Sequence, residues 1–598
     1  MAETDTEQRF RVVTTPLDDL ETASRRAGVT RSRRDHDAGY LVDHRQFHDI
    51  VSNDSTRRSQ LSEVLHHVVD EGVVVIDDEN GRGLHLTSVG VRDRYPGGVE
   101  PTPSDVLNLF EQGYTVVPLH RTLQLDRETP VSLYHRLAGR SAFCLLESAA
   151  LGEGTGRYSF IGLDRRWRVI GEGDTTRVEG ETAPDGLGPL ETLRVLLSRY
   201  RVAPSPDLAF VGGAIGFVAY DYVRRLERLP ADPGPDPWPD ADFSFPGAVL
   251  ICDHLRHSTT IVVLASATPD VSPAEALARA EARLNELEDE LLAPPVFDPD
   301  LERLVARAPQ ERDRVPVREL AARYSNFTEE SYSAVVDTAR RYIYDGDIFQ
   351  VVPSQQFRRA SKVDPLTLYR VLRALNPSPY MYLLDTGEAQ LVGASPEMLV
   401  NVTDGVVTTR PIAGTRRRGR TTEEDQALED EMVRDEKEIA EHVMLVDLGR
   451  NDVGRVSEPG SVVVTSLAHV ERFSHLMHLV SEVSGTLRDG VDAVDAFNAL
   501  FPAGTLSGAP KVRAMEIIDE CEPVRRGPYG GAVGYFSLTG GCDFAITIRT
   551  LALRHGVATV QAGGGVVADS TGPFEYQECL TKASAPLLAL ELADPSLS

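Results

Sequence analysis

Two apolar periodicities alternate along this chain, and their distribution divides it into three stretches. Residues 1–105 are mostly polar and charged. Their clearest pattern is GVVVIDDENGRGLHLTSV, two apolar runs around an Asp-Glu-Asn-Gly turn, which predicts a β-hairpin. The stretch reads as an N-terminal extension, either a small appended domain or a partly ordered arm, with no assignable role. From 106 to 315, short apolar runs (YTVVPLH, FCLLES, RWRVIGEG, AVLICD, TTIVVLAS) and the Gly-rich FVGGAIGFVAYDYV predict strands. A Pro-rich loop falls at 230–240. Apolar positions at helical spacing predict an amphipathic helix over 273–293, and APPVFDPD suits a connector. From 316 to 598 the pattern predicts helices over 330–345, 422–447, 508–520 and 573–592. GAVGYFSL, CDFAITIRTLAL and VATVQAGGGVVA follow in close succession and predict an antiparallel meander.

Composition narrows the function. The chain has 598 residues, enough for more than one domain, with 41% hydrophobic and 26% charged residues, an ordinary globular balance. A formal charge of −29 argues against nucleic acid as the main partner, because phosphates would be repelled. It leaves room for a small anionic substrate in a locally basic pocket. Five widely spaced cysteines without a CxxC argue against a disulfide framework or a zinc site. The polar N-terminus lacks a signal-peptide core, and no run of about 18 apolar residues predicts a membrane span. A cytoplasmic location is the expectation. No strand–GxGxxG–helix unit or P-loop points to nucleotide chemistry.

Three signals carry chemistry. Glu438 and Glu441 are three residues apart on one predicted helix, and Glu575 and Glu578 on another. Residues i and i+3 share a helix face, so each pair aims two carboxylates one way. If both helices face one cavity, four hard oxygen ligands suit Mg2+. A solvated surface accounts for the same spacing, and Glu578 has Lys582 at i+4. The run QAGGGVVAD places Gly563, Gly564 and Gly565 in a strand pattern, where ligands often approach backbone. Arg549 offers a bidentate fork for a carboxylate, and PAGTLSGAPK leads into a helix whose N–H groups make a second anion site. Ordinary turn glycines are the alternative. His475 and His478 lie in ERFSHLMHLVSEVSG, where a histidine is either a satisfied core residue or a proton shuttle.

Together these segments resemble the chorismate-utilising enzymes, which include anthranilate, aminodeoxychorismate, isochorismate and salicylate synthases. The resemblance spans 106–592 and is dense from 324 on: GDIFQVVPSQQF, NPSPYMYLL, GASPEMLV, RPIAGTRRRGR, DEKEIAEHVMLVDLGRNDVGRV, SHLMHLVSEVSG, FPAGTLSGAPK, GPYGGAVGYF, DFAITIRT, QAGGGVVADS and FEYQECLTKA. It implies an α+β fold of antiparallel sheets packed together with helices outside, and a catalytic region over 316–598. It also implies roles. Glu441 and Glu578 would hold Mg2+, supported by Glu438 and Glu575. Arg549, Tyr529 and the backbone at Gly563, Gly564 and Gly565 would bind carboxylates, with Gly414, Thr415 and Thr505 completing the pocket and Lys582 close to the metal carboxylates. Glu397 would protonate the departing 4-hydroxyl, and His478 would assist pyruvate loss.

Two positions choose among relatives. Water-adding members carry a lysine where this chain has Gln350, which cannot act as a base. Many aminodeoxychorismate synthases carry a lysine nucleophile in PIKGT, where this chain has Ala413. Both point to direct attack by ammonia and to the anthranilate-forming large subunit. A 2-amino-2-deoxyisochorismate synthase or an aminodeoxychorismate synthase, and a non-catalytic tryptophan-sensing scaffold, are the alternatives. No cysteine has a GxCxG context, so a separate glutamine amidotransferase subunit is expected to supply ammonia. LLES and NPSPYM resemble tryptophan-binding elements, placing Leu146, Glu147, Ser148, Pro379, Tyr380 and Met381 around an inhibitory L-tryptophan.

Overall fold

The computed structural model describes residues 98–148, 156–229, 238–294, 297–312, 315–472 and 476–594, and the backbone of five short strands before them. The chain divides into two compact units, Met1–Gly98 and Val99–Ser598. In the first, Arg11–Val13, Val73–Asp77, Leu84–Ser88, Tyr40–Val42 and Thr30–Arg31 form a sheet in that order. The two strands of the expected hairpin pair antiparallel, Ile76 opposite Leu86, and its turn falls outside the described residues.

In the second unit nineteen strands form one antiparallel network. The first run passes from Val116–Gln124 through Ser258–Ser266, Ala241–Asp253, Gly213–Val218, Ala532–Ser537, Cys542–Ile546, Met398–Thr403 and Val406–Thr409 to Leu476–Thr486. Ile412–Arg417 and Val463–Arg472 flank that last strand. A second run passes from Tyr158–Glu172 through Ala142–Glu147, Tyr380–Asp385, Ala389–Ser395, Thr550–Arg554 and Val557–Gly563 to Ser354–Ala360. The long strands Tyr158–Glu172 and Ala241–Asp253 pair along their length and join the runs. Strands from either side of residue 315 therefore pair within one unit.

Side-chain alternation gives the sheet two cores. Leu384, Leu391 and Ala552 of the second run share a buried cluster with Phe243, Phe536 and Phe544 of the first. Their chain neighbours Leu383, Val392 and Leu551 belong to another, with Tyr332, Leu372, Leu580 and Leu587 of the helices Glu329–Tyr344, Pro365–Leu375 and Gly572–Ala593. Sheets therefore pack on sheets with helices outside, the α+β arrangement expected from the sequence.

Three expected elements divide. The helix expected over 422–447 is two, Thr422–Arg434 and Glu436–Gly454, because Asp435 leaves the helical region at ψ 104°. CDFAITIRTLAL is two strands, Cys542–Ile546 and Thr550–Arg554, separated where Arg549 adopts φ +51°. These strands do not pair with each other: the first pairs with Met398–Thr403 and the second with Ala389–Ser395, so the meander becomes two hairpins in different runs. In the segment expected as a helix over 508–520, Gly508–Ala509 is a short strand paired with Gln350–Val351, and the helix is Lys511–Cys521. Among the described residues no helix is long and apolar enough to cross a membrane.

Phe544 is fully buried, with its ring 4.8 Å from the rings of both Phe497 and Phe536. Phe544→Ala is expected to cost about 3–5 kcal/mol through lost burial and an unfilled cavity. Urea unfolding followed by intrinsic fluorescence should show an earlier midpoint than for the parent chain.

Candidate active site and effector cavity

The link between the two hairpins delivers the first site residue. Arg549 turns the chain from one run to the other in a left-handed conformation that a non-glycine residue rarely adopts. Among the described residues no carboxylate or carbonyl pairs with its guanidinium, and burial pulls its pKa below the ordinary value. Glu397, whose charge acts on Arg549, is 8% exposed at the end of GASPE. Burial pushes its carboxyl up to about 7, against opposing pulls from the Thr505 hydroxyl, Lys582 and Arg549. Thr505 donates its hydroxyl proton to Glu397 Oε1 at 2.9 Å. A half-neutral carboxylic acid thus faces an unpaired fork donor, a combination suited to binding an anion and protonating a group beside it.

His478 is 5% exposed on Leu476–Thr486, opposite Thr415 of the neighbouring strand. Its Nδ1 lies 3.1 Å from the Gly414 carbonyl oxygen. A carbonyl only accepts, so Nδ1 carries the proton. Burial, then the charge of Arg549, lowers its pKa to about 4. Gly414 itself has φ +59° and sits at a bulge between Ala413 and Thr415. The side chain of Thr415 and all of His475 lie outside the described residues.

The triple glycine behaves as a place of close approach. The strand ends at Gly563, and a Cβ on that residue would meet the Tyr529 hydroxyl at 3.0 Å. A Cβ on Gly564 would meet Glu575 Oε2 at 2.6 Å and the Glu578 carboxylate carbon at 3.8 Å, and one on Gly565 would collide with the Gln350 amide. Lys582 donates to the Gly563 carbonyl at 3.0 Å and pairs with Glu578 at 2.7 Å. Gly563, Gly564, Gly565, Gln350, Tyr529, Glu575, Glu578 and Lys582 are thereby gathered at one place.

The other acidic pair stands at a different backbone. Glu438 Oε2 would lie 3.2 Å from a Cβ on Gly414, and Arg416 donates to Glu438 Oε1 at 2.9 Å. Glu441 follows one turn along the same helix and is half-buried. The structure does not bring the four carboxylates into one cluster: among the described residues no three His, Cys, Asp or Glu side chains stand together as a metal set. The Glu575–Glu578 half fits a hard cation by donor type and by the space over Gly564. In the present arrangement Lys582 and Arg416 neutralise one carboxylate of each pair.

The expected anion site in PAGTLSGAPK is corrected. The N–H groups of Leu506 and Ser507 bond to the Ala503 carbonyl, and Lys511 pairs with Asp452 at 2.7 Å, so that segment supplies the Thr505 hydroxyl instead.

A second site is a cavity of about 660 Å³. All six residues of the two resembling elements line it: Leu146, Glu147, Ser148, Pro379, Tyr380 and Met381. They meet because the strands pair antiparallel, Met381 opposite Glu147. Glu147 is 4% exposed and already held by Arg373, at 2.7 and 2.9 Å, and by the Tyr369 hydroxyl at 2.7 Å. Asp543, Arg157 and Arg410 add polar groups that the sequence reading missed, because they lie outside LLES and NPSPYM and only the fold brings them to the cavity. Burial raises Asp543 to about 6, and Tyr380 donates to it at 3.3 Å. Pro396 and Met398 also line the cavity, so Glu397 is flanked on both sides by cavity residues.

A buried carboxyl that holds its proton to about pH 7, near a guanidinium with no hydrogen-bonded carboxylate among the described residues, suits an enzyme acting on a small carboxylate, and the comparisons give the family. The model of the chorismate binding enzymes matches residues 147–588. Anthranilate synthase component 1 of Acetivibrio thermocellus is 45% identical over 501 residues, covering 82% of this chain and 98% of that protein. The Pseudomonas aeruginosa protein of the same name is 46% identical over 503 residues, covering 82% and 99%. The crystal structure of anthranilate synthase component I from Streptococcus pneumoniae TIGR4 aligns with a TM-score of 0.61 at 36% identity, covering 78% of this chain and 98% of that one. The chain belongs to the chorismate-binding enzymes, in the branch of anthranilate synthase component 1.

The depressed His478 pKa has a direct test. Its imidazole should stay neutral, with the proton on Nδ1, from pH 8 to about 5. Ring nitrogen shifts in protein carrying 15N-histidine should show no titration of this residue near 6.5.

Proposed function

We propose that the chain converts chorismate and ammonia to anthranilate and pyruvate, using Mg2+, and is inhibited by L-tryptophan. The observation that carries this reading is the neutralised Glu397 carboxyl beside the unpaired Arg549 guanidinium. Chorismate has two carboxylates and a hydroxyl that leaves poorly unless protonated. Arg549, Tyr529 and the backbone at Gly563 to Gly565 bind its carboxylates, with Gly414, Thr415 and Thr505 around them. Glu397 gives its proton to the 4-hydroxyl as the C–O bond breaks, so that water departs rather than hydroxide. Ammonia forms the new bond at C2 while the ring double bonds shift, and the resulting ammonium returns a proton to the Glu397 carboxylate. His478, uncharged near neutral pH, takes the C2 proton and passes it to the enolpyruvyl methylene carbon as the C3–O bond breaks, so that pyruvate leaves and the ring becomes aromatic. Only with their two helices drawn together would Glu441 and Glu578 hold Mg2+, backed by Glu438 and Glu575, and the ion would then supply positive charge to the ring carboxylate.

Ammonia as nucleophile follows from what the site lacks. Gln350 cannot activate water, and Ala413 cannot attack as a lysine does. A separate glutamine amidotransferase subunit is the proposed source, and a cytoplasmic location goes with it. For inhibition, the support is the cavity lined by both tryptophan-like elements and its shared backbone with Glu397. An occupant that presses on Pro396 or Met398 displaces the acid between them, which biases the chain toward a less active state.

Chorismate, Mg2+ and ammonium at alkaline pH should yield fluorescent anthranilate from this chain alone, and added tryptophan should suppress it. Accumulation of a non-aromatic amino product would instead favour the 2-amino-2-deoxyisochorismate synthase reading, and untouched chorismate the scaffold. Glu397 must be protonated to act, so kcat/KM expressed per free NH3 should fall as pH rises through about 7. Glu397→Gln removes the proton and should lower kcat by about 100-fold or more, with a smaller change in chorismate KM. Glu441→Gln should abolish turnover, and near-normal activity would remove Glu441 from the metal set.

A further inference from the structure

Three segments that carry site residues converge on one buried side chain outside the site. Arg526 is 3% exposed and immediately precedes GPYGG. Its Nη1 donates to the Leu506 carbonyl at 2.7 Å, one residue beyond Thr505. Its Nη2 donates to the Val352 carbonyl at 2.7 Å, two residues beyond Gln350. The same guanidinium lies 5.5 Å from the Tyr529 ring centroid and 4.6 Å from that of Tyr220. Its charge is balanced four residues back, by the residue that caps the helix Lys511–Cys521: Glu522 accepts from Nε at 3.0 Å and from Nη2 at 2.6 Å. Glu522 also accepts from the Ser354 amide and hydroxyl, both at 2.8 Å, and Ser354 stands opposite Gly563 in the sheet. The pair therefore reaches the Thr505 turn, the Gln350 segment, Tyr529 and the Gly563 strand end.

We infer that Arg526, locked by Glu522, is a positioning residue that fixes the spacing between the Thr505 turn, the Gln350 segment and Tyr529, and through Thr505 sets the acid Glu397. The chemistry requires arginine. Two carbonyls and a carboxylate receive hydrogen bonds from one planar group in different directions, which a lysine ammonium on a flexible stem does not reproduce. Fully buried charge also makes the arrangement all or none, because a partner left behind would be an uncompensated ion. The inference depends on Glu397 acting as the general acid. The groups bearing on Glu397 are the Thr505 hydroxyl, Lys582 and Arg549. Asp452, which shares a small cavity with it, is paired to Lys511. Of these only Thr505 is tied to Arg526, so loosening the turn removes the donor that stabilises the Glu397 carboxylate, and the acid becomes weaker.

The test compares Arg526→Lys, Thr505→Val and the double variant in the full chain, assayed with chorismate, Mg2+ and ammonium across pH. Arg526→Lys should lower kcat by about 100-fold, as expected for a misplaced turn. It should keep chorismate KM within about threefold and move the alkaline limb of kcat/KM per free NH3 upward. Thr505→Val should move the limb the same way, and the double variant no further. A folded Arg526→Lys variant with the parent limb and kcat, while Thr505→Val moves the limb, would overturn the positioning role. An unmoved limb in Thr505→Val would overturn the acid role of Glu397 and this inference with it. Should Arg526→Lys fail to fold, Glu522→Gln carries the same measurement: the neutral side chain keeps an acceptor for Ser354 but no longer locks the guanidinium, so the limb should again rise, and an unchanged profile overturns the inference.

Discussion

A left-handed backbone at one arginine lets a single apolar stretch serve two sheets. Cys542–Ile546 belongs to the first strand run and Thr550–Arg554 to the second. Only Thr547, Ile548 and Arg549 are available to make the crossing, and Arg549 takes it at φ +51°. Positive φ costs a non-glycine residue on the order of 1–3 kcal/mol, which persists only where the surroundings determine it. Here the surroundings are pairing on both sides: Ala545 and Ile546 stand opposite Val533 and Ala532, and Thr550 and Leu551 opposite Gly393 and Val392. Strand pairing thus holds a buried guanidinium to which, among the described residues, no carboxylate is hydrogen-bonded, although the charge of Glu397 acts on it. Such a group suits a small anion.

The same burial acts on the two proton-handling groups with opposite signs and one result. Removing water disfavours charge, which raises a carboxylic acid and lowers an imidazole. Glu397 rises to about 7 and His478 falls to about 4. Near neutral pH the first still holds a proton in part of the population and the second is uncharged, with its proton on Nδ1. Hydrogen bonds then refine what burial sets. The Thr505 hydroxyl restrains the rise of Glu397, and the Gly414 carbonyl fixes the proton of His478 on Nδ1. Neither effect needs a metal.

Much of this was legible in the sequence, for identifiable reasons. Short apolar runs in YTVVPLH, FCLLES and TTIVVLAS located strands, because alternate side chains of each enter one or the other of two cores. The QAGGG run announced close approach, since Gly564 has room for no side chain against Glu575. Breaks inside apolar stretches were not legible. A lone Asp435 within helical spacing is a weak signal and Arg549 is none, and the conformation of Arg549 is held by strand pairing on both sides. The i, i+3 spacing correctly put the glutamates of each pair on one helix, but spacing within a helix says nothing of the distance between helices. Arg526 was invisible for a similar reason. Glu522 at i−4 is an everyday spacing, and only the fold brings the carbonyls of Leu506 and Val352 to it.

Alternation along strands also explains how an acid site and a distant cavity share so little material. Ser395 ends one strand and Met398 begins another, with Pro396 and Glu397 between. Pro396 and Met398 face the cavity while Glu397 reaches Thr505. Two further strands repeat the pattern: Ile412 lines the cavity two residues before Gly414, and Val480 two residues after His478. Gly414 and His478 are themselves hydrogen-bonded across those strands. Both proton-handling residues therefore sit within two residues of a cavity wall. Strand backbone transmits displacement because its ladder resists local stretch, whereas a loop would absorb it. A ligand that fills the cavity has to bind the two placements of that wall with different affinity to alter turnover, and the wall it touches is continuous with the acid, the base and the carbonyl that orients the base.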